Sequence, residues 1–118
     1  MSECCKGKNM ILYACSGASD VGEITDKVAR KLREQGSGKM SCLSGIGANV
    51  SGYVETAKGA DECIVIDGCP VNCGKKMFET QKLKGKFFTL TELGLEKGKT
   101  PVTEKVVEEM AGKIRKNI

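Results

Sequence analysis

The chain has 118 residues, 40% of them hydrophobic and 29% charged, which is the size and composition of one globular domain with a single core. A net charge of +4, with three Phe, two Tyr and no Trp, leaves little surface on which bases could stack, so no nucleic-acid partner is predicted. Histidine is absent, which excludes Ser-His and Cys-His catalytic pairs and leaves thiolates and carboxylates as the only charged protein ligands for a metal ion.

Hydropathy predicts where the protein resides. No apolar run approaches the ~20 residues that a bilayer requires, so no membrane span is predicted. The apolar run at residues 10–14 is too short for a secretory signal. We therefore expect a cytoplasmic protein whose seven cysteines are mostly reduced, and their odd number argues against a closed disulfide framework.

The first half of the chain predicts two strand–helix units. The run "MILYAC", residues 10–15, predicts strand one. A first helix follows, which Asp20 and Glu23 would cap and Gly36 would end. The run "KMSCLSG", residues 39–45, predicts strand two, and a short second helix then ends near Gly59. The apolar faces of these two helices consist of Val21, Ile24, Val28 and Leu32 in the first and Val50, Tyr53, Val54 and Ala57 in the second.

The second half predicts two more such units. The run "CIVID", residues 63–67, is continuously apolar, which is typical of a parallel strand buried on both faces. Pro70 suits the first turn of a third helix, where its missing N–H costs nothing. The run "KFFTLTEL", residues 86–93, predicts strand four, and Thr100 with Pro101 opens a last helix. That helix has an apolar face made of Val102, Val106, Met110 and Ile114.

This alternation of strands and helices predicts the fold class. It is typical of an α/β protein with three α/β/α layers and a small, four-stranded, mostly parallel sheet, Rossmann-like or flavodoxin-like. No repeat or second core interrupts the pattern. We expect a single domain at residues 10–118, preceded by a flexible tail at residues 1–9.

Four cysteines are predicted to converge on one edge of this sheet. Cys15 ends strand one, Cys42 lies late in strand two, and Cys69 follows strand three, with Cys73 one helical turn further on. Because the carboxyl ends of parallel strands share the edge at which ligands bind, these thiols form a candidate site.

The pair Cys69 and Cys73 is expected at a helix N-terminus, where free N–H groups favour the thiolate. Residues four apart on a helix have Cβ atoms ~5–6 Å apart. A disulfide requires ~3.5–4.5 Å, whereas a zinc ion with ~2.3 Å bonds to sulfur spans the wider gap. Between those two alternatives the spacing favours a metal ion.

Other candidate residues are weaker. Cys63 begins strand three at the opposite end of the sheet and is expected to pack in the core. Cys4 and Cys5 lie on the charged tail, where a fixed role is not expected. Asp67 and Asp20 lie on the cysteine edge; either could be a fourth ligand or a hydrogen-bond partner, and Asp67 could equally cap the third helix.

Nucleotide-binding motifs are incomplete. "GASDVGEI" imitates the start of a phosphate-binding loop, but Glu23 and Ile24 stand where Lys and Ser/Thr are required. "GIGANV" lacks the third glycine of a dinucleotide fingerprint, and Val21 occupies the arginine position of a phosphatase loop. No nucleotide cofactor is therefore predicted. The lysines between residues 75 and 86 could attract anions, but a solvent-exposed helix face is the interpretation that we favour.

The segments "ACSG", "MSCLSGIGA" and "IDGCPVNC" resemble the DGC-domain family of proposed zinc-binding proteins, named for the motif that stands here as Asp67, Gly68 and Cys69. The resemblance runs from about Met10 into the last helix. It implies a small bacterial protein with a zinc site carried onto Cys15, Cys42, Cys69 and Cys73. Where many relatives continue "CSG" with another cysteine, this chain has Ala18, so one ligand of the family would be absent or replaced.

The sequence leaves four alternatives for the chemistry. The first is a zinc site of four thiolates, and the second is metal-free thiol redox, sulfur-transfer or detoxification chemistry with Cys69 reactive and Cys73 or Cys15 resolving. The third is a labile iron–sulfur cluster, and the fourth is ordinary buried thiols. The partners expected are a metal ion and a small-molecule or thiol substrate. Whether the protein is an enzyme stays open.

Overall fold

The computed structural model describes residues 8–118. Cys4, Cys5 and most of the predicted tail therefore lie outside the described residues. By residue 9 the backbone has joined the fold, because the Asn9 carbonyl accepts an N–H from Asp61 at 2.8 Å.

The sheet has four parallel strands in the order β2-β1-β3-β4. Their bounds are β1 (Met10–Ala14), β2 (Lys39–Met40), β3 (Glu62–Asp67) and β4 (Lys86–Thr89). This order matches the first four strands of a flavodoxin-like sheet, in which the direction of strand addition reverses between β1 and β3. The predicted α/β class with a small parallel sheet is confirmed.

Five α-helices cover the sheet, and they are α1 (Asp20–Glu34), α2 (Leu43–Gly47), α3 (Ser51–Gly59), α4 (Cys73–Thr80) and α5 (Glu104–Arg115). A 3-10 turn, Leu90–Leu93, follows β4. Helices α1 and α5 pack on one face of the sheet, whereas α2, α3 and α4 pack on the other. None of the helices between residues 8 and 118 combines the length and the apolar character needed to cross a membrane.

The two faces explain why β1 and β3 are continuously apolar. In β1, Leu12 and Ala14 contribute to the core under α1 and α5, while Ile11 and Tyr13 contribute to the core under α2, α3 and α4. All four side chains are buried. Because both faces are covered, neither alternate set of side chains can be polar.

The structure corrects the predicted first residues of two helices, α1 and α5. Ser19, not Asp20, caps α1, since its side chain accepts the N–H of Gly22 at 3.1 Å. The last helix begins at Glu104, capped by Thr103, and not at Pro101. In both cases a hydroxyl next to the apolar run satisfies the free N–H groups, which is what an N-cap requires.

Candidate thiol site at the carboxyl edge of the sheet

The four candidate cysteines all lie at the carboxyl edge. Cys15 directly follows β1, and its N–H still donates to the Ile66 carbonyl of β3 at 3.0 Å. Cys42 follows β2 by two residues, Cys69 follows β3 by two residues, and Cys73 is the first residue of α4. The topology therefore brings them to one edge from three separate segments, because Cys69 and Cys73 both lie where β3 passes into α4.

Strand two is much shorter than predicted. Pairing with β1 ends at Met40, and Cys42 is the N-cap of α2 instead of a strand residue. Leu43 and Ile46 stand three apart and are both buried, as on the inner face of a helical turn. The segment thus buries these two side chains by turning helical, and Cys42 is left exposed at the start of the turn.

The third helix begins later than predicted. A turn precedes the helix, and Pro70 lies inside it. The Asn72 N–H closes this turn by donating to the Cys69 carbonyl at 3.1 Å. Asn72 has φ +54°, which is incompatible with a helix, and its side-chain oxygen accepts the Thr89 hydroxyl at 2.7 Å. Cys69 therefore lies before the helix, and the helical spacing expected for Cys69 and Cys73 does not apply.

The thiols share an edge without being gathered around one point. Cys15 and Cys69 are partly buried, whereas Cys42 and Cys73 are exposed. Cys15 and Cys42 line the same cleft, which has a volume of about 290 Å³. Among residues 8–118, no three Cys, Asp or Glu side chains are arranged to hold a metal ion. Thiolates suit zinc chemically, but the described arrangement does not form a finished cage.

Cys15 contacts a buried threonine on α1. The Cys15 sulfur lies 3.6 Å from the Thr25 hydroxyl oxygen, and that hydroxyl donates to the Gly22 carbonyl at 2.6 Å. The same oxygen also accepts the Ser16 N–H at 3.0 Å. Thr25 thereby ties Cys15 and Ser16 to α1.

Cys69 contacts a lysine from a distant loop. The Lys97 ammonium lies 3.6 Å from the Cys69 sulfur. Lys97 belongs to the loop between the 3-10 turn and α5, which folds back over the carboxyl edge. Cys69 thus has a cationic neighbour that comes from a distant part of the chain.

Asp20 holds that loop in place. One carboxylate oxygen accepts the Gly98 N–H at 2.9 Å and the Val21 N–H at 2.7 Å, and the other accepts the Thr100 N–H at 3.0 Å. The hydrogen bonds from Gly98 and Thr100 lower the pKa of Asp20. With its oxygens engaged by backbone donors, Asp20 acts as a loop anchor in this arrangement and not as a ligand.

We expect Asp20→Asn to loosen this loop and to change the response to acid. Because the folded-state pKa is lowered, the carboxylate stabilises the fold above its ordinary pKa of ~3.8 and loses that contribution as pH falls through the folded value. The variant should therefore lose less stability than the natural chain on going below about pH 4. Urea unfolding at neutral and acid pH, with amide exchange at Gly98 and Thr100, measures both effects.

Glu23→Gln is the matched control for this change. It removes the same charge from the first turn of α1, but Glu23 pairs only loosely with Lys27, at 3.9 Å. Equal acid profiles for the two variants, with unchanged exchange at Gly98, would show that Asp20 does not anchor the loop.

Asp67 caps α4. Its side chain is 2% exposed, and its two oxygens accept the N–H groups of Gly74 at 2.8 Å and Lys75 at 3.0 Å. The sequence leaves open whether Asp67 is a metal ligand or a helix cap, and in the structure both of its oxygens are used for capping. The carboxylate also lies at the positive end of the helix, which stabilises its charge. Asp67 thereby fixes Cys73, the residue between the turn and these two N–H groups.

Gly68 allows two segments of the edge to meet. A Cβ atom at this position would lie 2.8 Å from the carbonyl carbon and oxygen of Val21 and 2.9 Å from the nitrogen of Gly22. Gly22 is likewise in close contact with the backbone of Gly17. The segment before Cys69 therefore rests directly on the first turn of α1, next to the loop that carries Cys15.

Sequence reasoning missed several residues of this edge. Thr25 left a signal in the sequence, since it is a polar residue among the apolar positions of α1. The structure shows that it is completely buried there. Lys97 left none, because its contact depends on the path of a loop 28 residues away from Cys69. By contrast, Cys63 is 3% exposed in the core under α2, α3 and α4, as predicted.

Together, these features define a small parallel α/β protein whose thiols line the ligand-binding edge of its sheet. The model of the DGC domain matches residues 11–114, and the chain belongs to the DGC-domain family. It is similar to the anaerobic and virulence modulator AnvM of Pseudomonas aeruginosa, with 33% identity over 88 residues that cover 74% of this chain and 67% of the relative. No solved structure matches the chain significantly.

Proposed function

We propose that the protein binds Zn²⁺ through Cys15, Cys42, Cys69 and Cys73. The observation that supports this function is the arrival of four thiols from three separate segments at one edge of the sheet. In a chain without histidine, thiolates are the strongest zinc ligands that are present. The requirement for reduced thiols also favours the cytosol as its location.

Zinc binding in this proposal requires the edge to rearrange. The four thiols are not gathered around one point within residues 8–118, so the segments that carry them have to move closer together. Both core clusters are fully built from side chains of the sheet and helices. Zinc would therefore serve a function at the edge, because a core of this extent does not require a metal ion to fold.

A regulatory role suits such a site better than a catalytic one. The similar Pseudomonas protein is named an anaerobic and virulence modulator. A zinc ion that is bound only when the thiols are reduced, and only after loops rearrange, couples the redox state to the shape of this edge. We propose that this chain likewise acts as a modulator whose partner binds the rearranged edge.

The first test is the zinc content of the untagged protein after anaerobic purification. We expect about one zinc per chain, with about four thiols protected from alkylation until a chelator is added. Each of the four single Cys→Ser variants at positions 15, 42, 69 and 73 should lose most of the zinc. Elemental mass spectrometry and thiol counting measure both quantities, and a visible absorption band would instead indicate an iron–sulfur cluster.

Cys63→Ser provides the control, because Cys63 lies in the core away from the edge. It should keep its zinc. Metal-free protein in which Cys15, Cys42, Cys69 and Cys73 all react freely with the alkylating reagent would contradict zinc binding. If Cys69→Ser lost both zinc and its cooperative unfolding transition, the ion would be structural and the regulatory role would fail.

A second candidate function is metal-free thiol chemistry at Cys69, which the Lys97 contact favours. In this case Lys97→Gln should slow the alkylation of Cys69 near pH 7 a few-fold, because the ammonium no longer stabilises the thiolate. Lys99→Gln is the control, since Lys99 pairs with Glu96 at 3.5 Å on the same loop. Equal rates for both variants would remove the basis for this candidate.

A further inference from the structure

The cleft that Cys15 and Cys42 line is also lined by a positively charged side chain. It lies between α1 and the connection from β2 to α2, and Arg30 of α1 lines it together with Asp26. Its volume of about 290 Å³ is close to the lower limit of ~300 Å³ for small-molecule pockets. The cleft thus has room for a molecule of a few heavy atoms.

A chain of hydrogen bonds orients the guanidinium group. The Arg30 Nε donates to one oxygen of Asp26 at 2.8 Å, and the other oxygen of Asp26 accepts the Ser16 hydroxyl at 3.2 Å. Ser16 has φ +50°, an uncommon conformation for a residue with a side chain, directly after Cys15. Because Asp26 engages only Nε of Arg30, the two terminal nitrogens stay available, and they match the two oxygens of a carboxylate.

The remaining lining is unusually rich in sulfur. Besides the two thiols, the thioethers of Met40 and Met77 line the cleft, and both methionines are partly buried. Thioethers and thiols are soft and polarisable, and flexible Met side chains adapt to the shape of an apolar group that packs against them. The cleft therefore offers a sulfur-lined wall and, at its exposed rim, the Arg30 guanidinium that Asp26 pairs with and orients.

We propose that this cleft binds small thiols that carry a carboxylate, with the carboxylate on Arg30 and the sulfur beside Cys15 and Cys42. The inference rests on the proposed function, because it names the small molecule that this thiol edge accepts. It does not require zinc, however, since Arg30 and the cleft are present without a metal ion. A ligand of this class has a carboxylate at one end and a sulfur atom at the other, and a molecule with only one of these groups should bind more weakly.

The test compares three probes by NMR titration of the reduced protein, namely 3-mercaptopropionate, propionate and 2-mercaptoethanol. We expect 3-mercaptopropionate to bind at least about tenfold more tightly than either of the others, because only this probe has both the carboxylate and the sulfur. Its binding should shift the signals of the Arg30 Nε and of the Cys15 and Cys42 Cβ atoms. Equal affinity for the three probes would overturn the proposal.

Arg30→Gln should reduce the affinity for 3-mercaptopropionate to that for 2-mercaptoethanol. Arg33→Gln is the matched control, because Arg33 is an exposed arginine on the same helix that does not line the cleft. Zinc content separates the two proposals, since Arg30→Gln should keep the metal that the chain binds. If the natural chain binds the probe but no zinc, only the zinc site is rejected. If Arg30→Gln binds the probe as tightly as the natural chain does, only this ligand class is rejected.

Discussion

Replacing Asp67 by alanine is expected to lower the free energy of unfolding by about 3 kcal/mol. The substitution leaves the N–H groups of Gly74 and Lys75 without their acceptors at the buried start of α4. Each buried donor left unpaired costs roughly 1–3 kcal/mol, and a charged acceptor makes a stronger bond than a neutral one. Urea unfolding followed by circular dichroism would measure the loss, which is a large share of the ~5–15 kcal/mol typical of domains.

Two further variants test whether the loss comes from capping. Asp67→Asn keeps the shape but offers a single acceptor oxygen to two N–H groups, so it should also be destabilised. Ser19→Ala removes the cap of α1, a single bond of 3.1 Å at a partly buried position, and should cost only about 1 kcal/mol. If Asp67→Ala cost no more than Ser19→Ala, the carboxylate would not be the main cap of α4. Because α4 begins at Cys73, the zinc site proposed above would also be weaker in the Asp67 variants.

The parts of the fold that the sequence predicted well are those with local signals. Strand β3 and helix α1 were found because a continuous apolar run and a three-to-four spacing are both visible within a single segment. Strand β2 was overestimated because it is an edge strand with only two paired residues, which leaves little pattern. The start of α4 was misplaced because the left-handed Asn72 bonds to Thr89, 17 residues further along the chain.

The same distinction holds for the candidate site. The edge on which Cys15, Cys42 and Cys69 lie follows from the order of strands and helices, so the sequence could predict it. What surrounds each sulfur depends on contacts between distant segments. The Asp20 bond to Gly98 joins residues 78 apart, and it is this bond that holds the loop carrying Lys97. No local pattern could place these partners.

Replacing Gly68 by alanine is the second change with a large expected effect, also about 3 kcal/mol. The new Cβ would meet the backbone of Val21 and Gly22 at 2.8–2.9 Å, and a helix backbone cannot turn aside as a flexible side chain can. Overpacking of this kind typically costs ~1–3 kcal/mol, and here two backbone segments have to separate. The fold would relax by moving β3 and α1 apart at the edge, which would shift Cys69 away from Cys15. The rate of Cys69 alkylation should therefore change together with stability, and so should the zinc content if the proposed site forms.

Gly52→Ala separates this close contact from the general effect of removing a glycine. Gly52 lies in α3, and a Cβ there would meet nothing within 4 Å. Alanine is the better helix former, so this control should gain about 0.5 kcal/mol in unfolding free energy and keep the Cys69 alkylation rate of the natural chain. Opposite signs at the two glycines would show that Gly68 is needed for close approach, whereas equal small effects would mean that the edge tolerates a side chain there. In the first case the DGC motif has a physical reading: Asp67 caps the helix that begins at Cys73, Gly68 lets the turn rest on α1, and Cys69 is thereby held beside Lys97 at the edge of the sheet.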